Sequence, residues 1–412
     1  MTAVKAESEQ LLEAKVGDQQ PPISLSKRII FTLLSLVIAF MIVGILGEVI
    51  LRLLPMGRYE SGIFRQYDPV FGESLIPNVS VIHRRGCFQG LVQTNSWGFR
   101  DRARTLEKPA GTYRVALIGD SVVEAVQVQP NEVMNIQMEQ ILKQKGYANA
   151  EVLAFGIGGI GTTQELLLYE QKIRQFHPDV VVLTFSDNDV MNNSSTLQPE
   201  SYGIHTWYAP YYDLGANGEL VFRPVESRPL NWLVTPFEHH SKLIYYLERI
   251  WFKFDYSPYT WEGAPVYYGS YSSDPDPEWQ KAWTVTSKVL ARFGQEVTAA
   301  GSKFQVLLWP DFADLDPQWQ QRLTRQLGKI PSHLVPAKFP EHVQEATQKA
   351  GVPFDTLAPY FQAYRDEHNM QWPYFSLTCD PHFSPLGHKV AAAAIMQKLE
   401  QHNLLPTSTT TN

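Results

Sequence analysis

Residues 29–47 run from Ile29 to Gly47 without a single charge. A helix of that length is about 28 Å long at 1.5 Å per residue, close to the hydrocarbon thickness of a bilayer. The apolar character continues past Glu48 to Leu54, so a tilted helix over 29–54 is predicted, ending before Pro55. A polar arm precedes the run and no small-residue cleavage site follows it, which favours a retained anchor over a cleaved secretory signal. Lys27 and Arg28 abut its start, while Arg52 and Arg58 lie at its end. The first pair sits nearer the uncharged core, so the N-terminus is expected in the cytoplasm and the rest of the chain in a periplasmic or extracellular space.

The remainder of the 412 residues has the composition of a packed protein. The whole chain is 44% apolar and 19% charged, enough material for a sizeable core. Thirty-five basic residues against 42 acidic ones leave a net charge of -7. That balance gives no cationic excess to neutralise phosphates, so nucleic acid is not an expected partner. Two cysteines, Cys87 and Cys379, exclude a disulfide-dense scaffold and a four-cysteine zinc site. In an oxidising compartment they have the option of pairing; the alternative is two buried thiols.

Along the chain, residues 1–28 read as a polar tail and 55–111 as a connecting segment with several turn signals. A main domain is expected over 112–405, with a frayed tail at 406–412. From Tyr113 the pattern alternates: an apolar strand to Gly119, a helix over 131–145, a strand at Glu151–Phe155, a helix over 162–176 and a strand at Asp179–Phe185. Strands alternating with helices predict a parallel α/β sheet. The rhythm stops over 199–276, a stretch rich in aromatics such as Trp207, Tyr208, Tyr211 and Tyr212. Packing of a subdomain is the plain reading of those rings; stacking on sugars or resting on a lipid surface are the alternatives. The alternation resumes with a helix over 278–300, a strand at Lys303–Trp309, a helix over 341–350 and a final helix over 384–401.

The residues able to do chemistry stand at the ends of these elements. The first strand runs into Gly119-Asp120-Ser121, and the carboxyl end of a strand is where open α/β sheets bind ligands. The second ends in Gly156-Ile-Gly-Gly-Ile-Gly161, whose spacing matches neither dinucleotide nor P-loop fingerprints. A glycine there brings a backbone N–H close to a substrate oxygen. The third ends in Ser186-Asp187-Asn188-Asp189, and the Asn188 amide is a candidate oxyanion donor. Near the C-terminus, Cys379-Asp380-Pro381-His382 offers a base and an acid to activate a serine. Glu238-His239-His240 and His388 have no metal-ligand spacing; surface polarity is expected of the first group, and packing or helix-end hydrogen bonding of His388.

In these blocks the sequence resembles the SGNH hydrolases, or GDSL esterases/lipases, over about 113–400. The Asn95-Ser-Trp-Gly-Phe-Arg-Asp101 stretch is similar to one found upstream in membrane-anchored bacterial members. The resemblance implies a flavodoxin-like three-layer α/β/α domain with a parallel sheet, here preceded by one transmembrane helix. It implies Ser121 as nucleophile, His382 as base and Asp380 as its orienting acid. The Ser121 and Gly159 N–H groups and the Asn188 side chain would form the oxyanion hole; Gly156 and Gly158 are rival glycines. No metal or organic cofactor is expected. The substrate implied is an acyl ester, on an acetylated envelope polysaccharide or a lipid. An O-acyltransferase using the same residues and a non-catalytic acyl-glycan-binding module are the alternatives. Three departures from the family pattern stand out: Val122 replaces the motif's Leu, Asp187 replaces the usual Gly, and Asp380 and His382 are separated by one residue and not the commoner two, a spacing other members also use. Asp187 places a carboxylate beside the oxyanion donor, a liability if it points inward.

Overall fold

The computed structural model describes residues 24–54, 63–202, 208–227, 237, 240–254, 260–261 and 264–406. Met1–Leu54 and Pro55–Asn412 form two separate units. In the first, one helix, α1 (Leu25–Leu53), is long and apolar enough to cross a membrane, and none of its residues is buried by protein. It begins four residues before the uncharged run, taking in Lys27 and Arg28.

In the second unit, alternation within each strand builds two cores. Val115 and Leu117 of β1 (Tyr113–Gly119) face one side, and Ala116 and Ile118 face the other. The same split recurs in β2 (Ala150–Gly156), β3 (Val180–Phe185) and β4 (Lys303–Leu308). A sheet buried on both faces requires apolar residues at nearly every position, which is why these runs are continuous and not alternating. One face is covered by α3 (Met134–Gln144), α8 (Ala358–Glu367) and α9 (Pro385–Gln401), through Met138, Phe361 and Ile395. The other is covered by α4 (Thr162–Gln171), α6 (Pro277–Ala299) and α7 (Lys338–Ala350), through Leu166, Phe293 and Val343.

A fifth strand, β5 (Phe354–Thr356), completes a parallel sheet in the order β5-β4-β3-β1-β2. This is the flavodoxin-like order, and its direction reverses between β1 and β3. The carboxyl ends of those two strands form the topological switch point, where open α/β sheets bind ligands. Ser121 opens the short helix α2 (Ser121–Glu124) directly after β1, and Asn188 precedes α5 (Asp189–Asn192) directly after β3.

The helix expected over 131–145 begins at Met134, after a 3-10 turn at Pro130–Glu132. The one expected over 162–176 ends at Gln171 and tightens into a second 3-10 turn, Ile173–Phe176. Segment 63–111 is folded into the same unit as the sheet. It forms two antiparallel hairpins, Arg65–Asp68 with Gly72–Leu75 and Ser80–Arg85 with Phe88–Gln93. In the aromatic stretch Tyr211, Tyr212 and Tyr271 are buried; Trp207, Glu238 and His239 lie outside the described residues.

Candidate active site

The nucleophile block owes its shape to a cap and a clamp. The Asp120 carboxylate accepts from the Val122 N–H at 3.0 Å, capping α2. The turn then closes at Ala125, which adopts a left-handed φ of 56°. Buried Arg100 fixes that conformation by donating to the carbonyls of Ala125 (2.7 Å), Val128 (2.6 Å) and Leu91 (3.0 Å). Arg100 belongs to the Asn95–Asp101 stretch, whose turn is held by the Asn95 side chain accepting from the Trp97 and Phe99 N–H groups.

The last block is a loop braced on both sides. Ser384 caps α9 through the Gly387 N–H, and its own N–H and hydroxyl both donate to the Phe375 carbonyl. Phe383 lies against Phe361 and edge-on to Trp309. At the start of the loop, Cys379 is disulfide-bonded to Cys87 in the second hairpin. The option of pairing is therefore the one realised, joining the N-terminal hairpin to the residue before Asp380.

This loop brings His382 to Ser121 across 261 residues of sequence. The His382 Nε2 lies 2.8 Å from the Ser121 Oγ. The His382 Nδ1 is hydrogen-bonded to Asp380 Oδ1, which also accepts from the His382 backbone N–H at 3.0 Å. A hydroxyl, an imidazole and a carboxylate thus stand in hydrogen-bonded series. Burial works against ionisation of Asp380, but the bonds and charge of His382 outweigh it and hold the carboxyl below its ordinary value. Burial likewise works to discharge His382; the hydrogen bond and charge of Asp380 outweigh it and raise the imidazole. Only the neutral imidazole accepts a proton. The acid limb of kcat/KM is therefore expected to have its midpoint above 6.5, the ordinary histidine value. Asp380→Asn is expected to move that midpoint down, because the charge that raises it is gone; a pH–rate profile of both proteins checks this.

The glycine turn after β2 and Asn188 after β3 hold the candidate oxyanion donors. Among the glycines, Gly156 is the last residue of β2 and pairs with Gly119. Gly158 approaches closest to Ser121: a Cβ there would stand 3.3 Å from the serine's own Cβ and clash with Glu124 and Arg65. Its N–H, however, is donated to the Glu124 carboxylate. Gly159 has a φ of +81°, which an L side chain rarely adopts, and its N–H has no partner among the described residues.

Burial pushes Asp120 above the usual carboxylate range, against the Val122 N–H, His382 and Asn188, which pull it down. Asp187, the liability in the sequence, is engaged by two tyrosines. Its carboxylate accepts from the Tyr271 hydroxyl at 2.8 Å and from the Tyr267 hydroxyl, and burial, its largest influence, raises its pKa. Sequence reasoning did not find these tyrosines; a carboxylate where the family pattern has glycine was the only signal. His388 is buried edge-on to Phe383, six residues from His382. Burial lowers its pKa to about 3, so it is a neutral packing residue.

The disulfide should carry weight in both stability and site geometry. Cys87→Ser with Cys379→Ser is expected to cost about 2–5 kcal/mol of stability. Urea unfolding of the double variant beside the oxidised protein measures it.

No family model and no curated protein matches the sequence. Solved structures do. A lipase/acylhydrolase from Enterococcus faecalis is similar at 13% identity and a TM-score of 0.36, over 70% of this chain and 96% of that one. An acetyl xylan esterase is similar at 14% identity and a TM-score of 0.36, over 69% of this chain and 99% of that one. A catalytic mutant of an acetylxylan esterase from Geobacillus stearothermophilus is similar at 12% identity and a TM-score of 0.36, over 71% and 96%. Likenesses this distant say nothing of what this chain acts on.

The sheet order defines a flavodoxin-like α/β domain with a serine, a histidine and a carboxylate brought together at its switch point. The serine, glycine, asparagine and aspartate–histidine blocks each stand at a strand end or loop of this domain.

Proposed function

We propose that this chain is a serine-dependent acyl-ester hydrolase that works through an acyl-enzyme. The observation that carries the reading is the unbroken series from the Ser121 Oγ through the His382 imidazole to Asp380 at the mouth of the sheet. His382 Nε2 takes the Ser121 proton as the Oγ adds to the ester carbonyl. The carbonyl oxygen becomes an anion, held by the Ser121 and Gly159 N–H groups and the Asn188 amide. Collapse expels the alkoxide, which takes the proton from His382, and leaves the acyl group on Ser121. Water, deprotonated by His382 in turn, releases the acid. Asp380 keeps the imidazole in the tautomer whose Nε2 faces the serine and stabilises the cation formed in each half-reaction.

The substrate proposed is an acylated, in particular acetylated, envelope glycan or a lipid ester. Two features support a site outside the cytoplasm: α1 provides a tether, and the Cys87–Cys379 bond belongs to an oxidising compartment. The same groups serve an O-acyltransferase if a sugar hydroxyl replaces water in the second half. The test is labelling of the full chain by a fluorophosphonate, together with release of acetate from simple esters and acetylated glycan. Ser121-dependent labelling and release support the hydrolase. Labelling with release only when a glycan acceptor is added would replace it by the transferase, and absence of both in the folded protein would sink the enzyme reading.

A further inference from the structure

A buried ion pair behind Ser121 has no part in the mechanism above. Glu124, the last residue of α2, has a fully buried carboxylate. One side of it receives Arg65, whose Nη2 donates to Glu124 Oε1 at 2.7 Å. The other side receives the Gly158 N–H, and Arg65 Nη1 lies 3.4 Å from the Gly158 carbonyl. Glu124 and Arg65 therefore hold the two peptide groups flanking Gly158, the second of which carries the Gly159 N–H. Arg65 is itself held by an ion pair to Glu73, which stands on the facing strand of the first hairpin opposite Tyr67. It enters from residues 63–111, upstream of the region that carries the family resemblance.

Oxyanion stabilisation depends on where an N–H points before charge develops. A glycine-rich turn has little stiffness of its own, because glycine samples both signs of φ. Something outside the turn must fix it. We propose that Arg65 is a positioning residue of this site: through Glu124 and Gly158 it holds the turn so that the Gly159 N–H faces the Ser121 oxyanion. The hairpin at Arg65–Leu75 is thereby a working part of the active site. The inference rests on the hydrolase reading for its kinetic consequence, but its structural claim stands on the turn alone.

The experiment compares the full chain with Arg65→Gln, Arg65→Lys and Glu124→Gln, using p-nitrophenyl acetate turnover and backbone hydrogen exchange over residues 156–161. In Arg65→Gln, kcat is expected to fall between about 10- and 100-fold, with KM within about twofold of the parent. Exchange across the turn should quicken in the same protein. Arg65→Lys, which keeps the cation, should recover part of both. Glu124→Gln, which removes the charge at the other end, should shift both in the same direction as Arg65→Gln and serves if that variant does not fold. A folded Arg65→Gln protein with unchanged kcat and unchanged exchange overturns the proposal, as does a loss of melting temperature alone. If the parent shows no Ser121-dependent turnover, the hydrolase reading fails; exchange then decides the positioning role, quickened exchange upholding it and unchanged exchange overturning it.

Discussion

Ser121→Ala is expected to lower kcat/KM for p-nitrophenyl acetate by about 10⁴-fold or more. The argument is geometric. The Ser121 side chain bonds only to His382 among the described residues, so its loss removes the nucleophile and little else. The Ser121 carbonyl still accepts from the Ala125 N–H at 2.9 Å, and the Asp120 cap still closes α2. Alanine is the best helix former, so α2 loses nothing by the change. The folded protein should therefore melt where the parent does, while acyl-enzyme formation stops. Some turnover above water would persist, because the oxyanion donors remain. Retention of parental kcat by Ser121→Ala would eliminate Ser121 as the nucleophile and, with it, the acyl-enzyme.

The second large effect concerns Asn188. Asn188→Ala is expected to reduce kcat about 10²- to 10³-fold, with KM nearly unchanged, because an oxyanion donor acts on the charge that develops only in the transition state. Asn188 precedes α5, but its side chain makes no capping bond there, so the substitution should leave that helix in place. A drop in KM-dependent binding with kcat preserved would show that Asn188 holds substrate in the ground state and is not an oxyanion donor. The neighbouring Asp187 provides the contrast. With its carboxylate on Tyr267 and Tyr271, its replacement should act through those tyrosines and not through the anion.

Sequence periodicity was informative wherever the determinant was local. The continuous apolar runs of β1, β2, β3 and β4 identify strands buried on both faces, and the glycine, asparagine and aspartate–histidine blocks mark their ends. β5 escaped notice because it is three residues long and half-buried, too short to have a period. Helix α8 escaped for a different reason: it follows directly on β5 and carries a mixed polar surface around Phe361. The hairpins at 65–93 read only as turns, since their short strands alternate weakly. The Arg65–Glu124 pair spans 59 residues and the Cys87–Cys379 bond 292. No spacing rule reaches across such distances; only the folded chain brings those partners together. The same limit applied to Asp187, whose tyrosine partners lie 80 and 84 residues downstream.

The bond between Cys87 and Cys379 has a topological consequence. It closes all five sheet strands, the nucleophile and the aromatic stretch into one covalent ring, with His382 just outside it. A single protease cut anywhere on that ring opens it without releasing a fragment. A chain cut once between Cys87 and Cys379 keeps Ser121, Asp380 and His382 covalently joined. The bridge thus sets the unit of damage within the ring: one cut there frees nothing, and two are needed to free a piece of it.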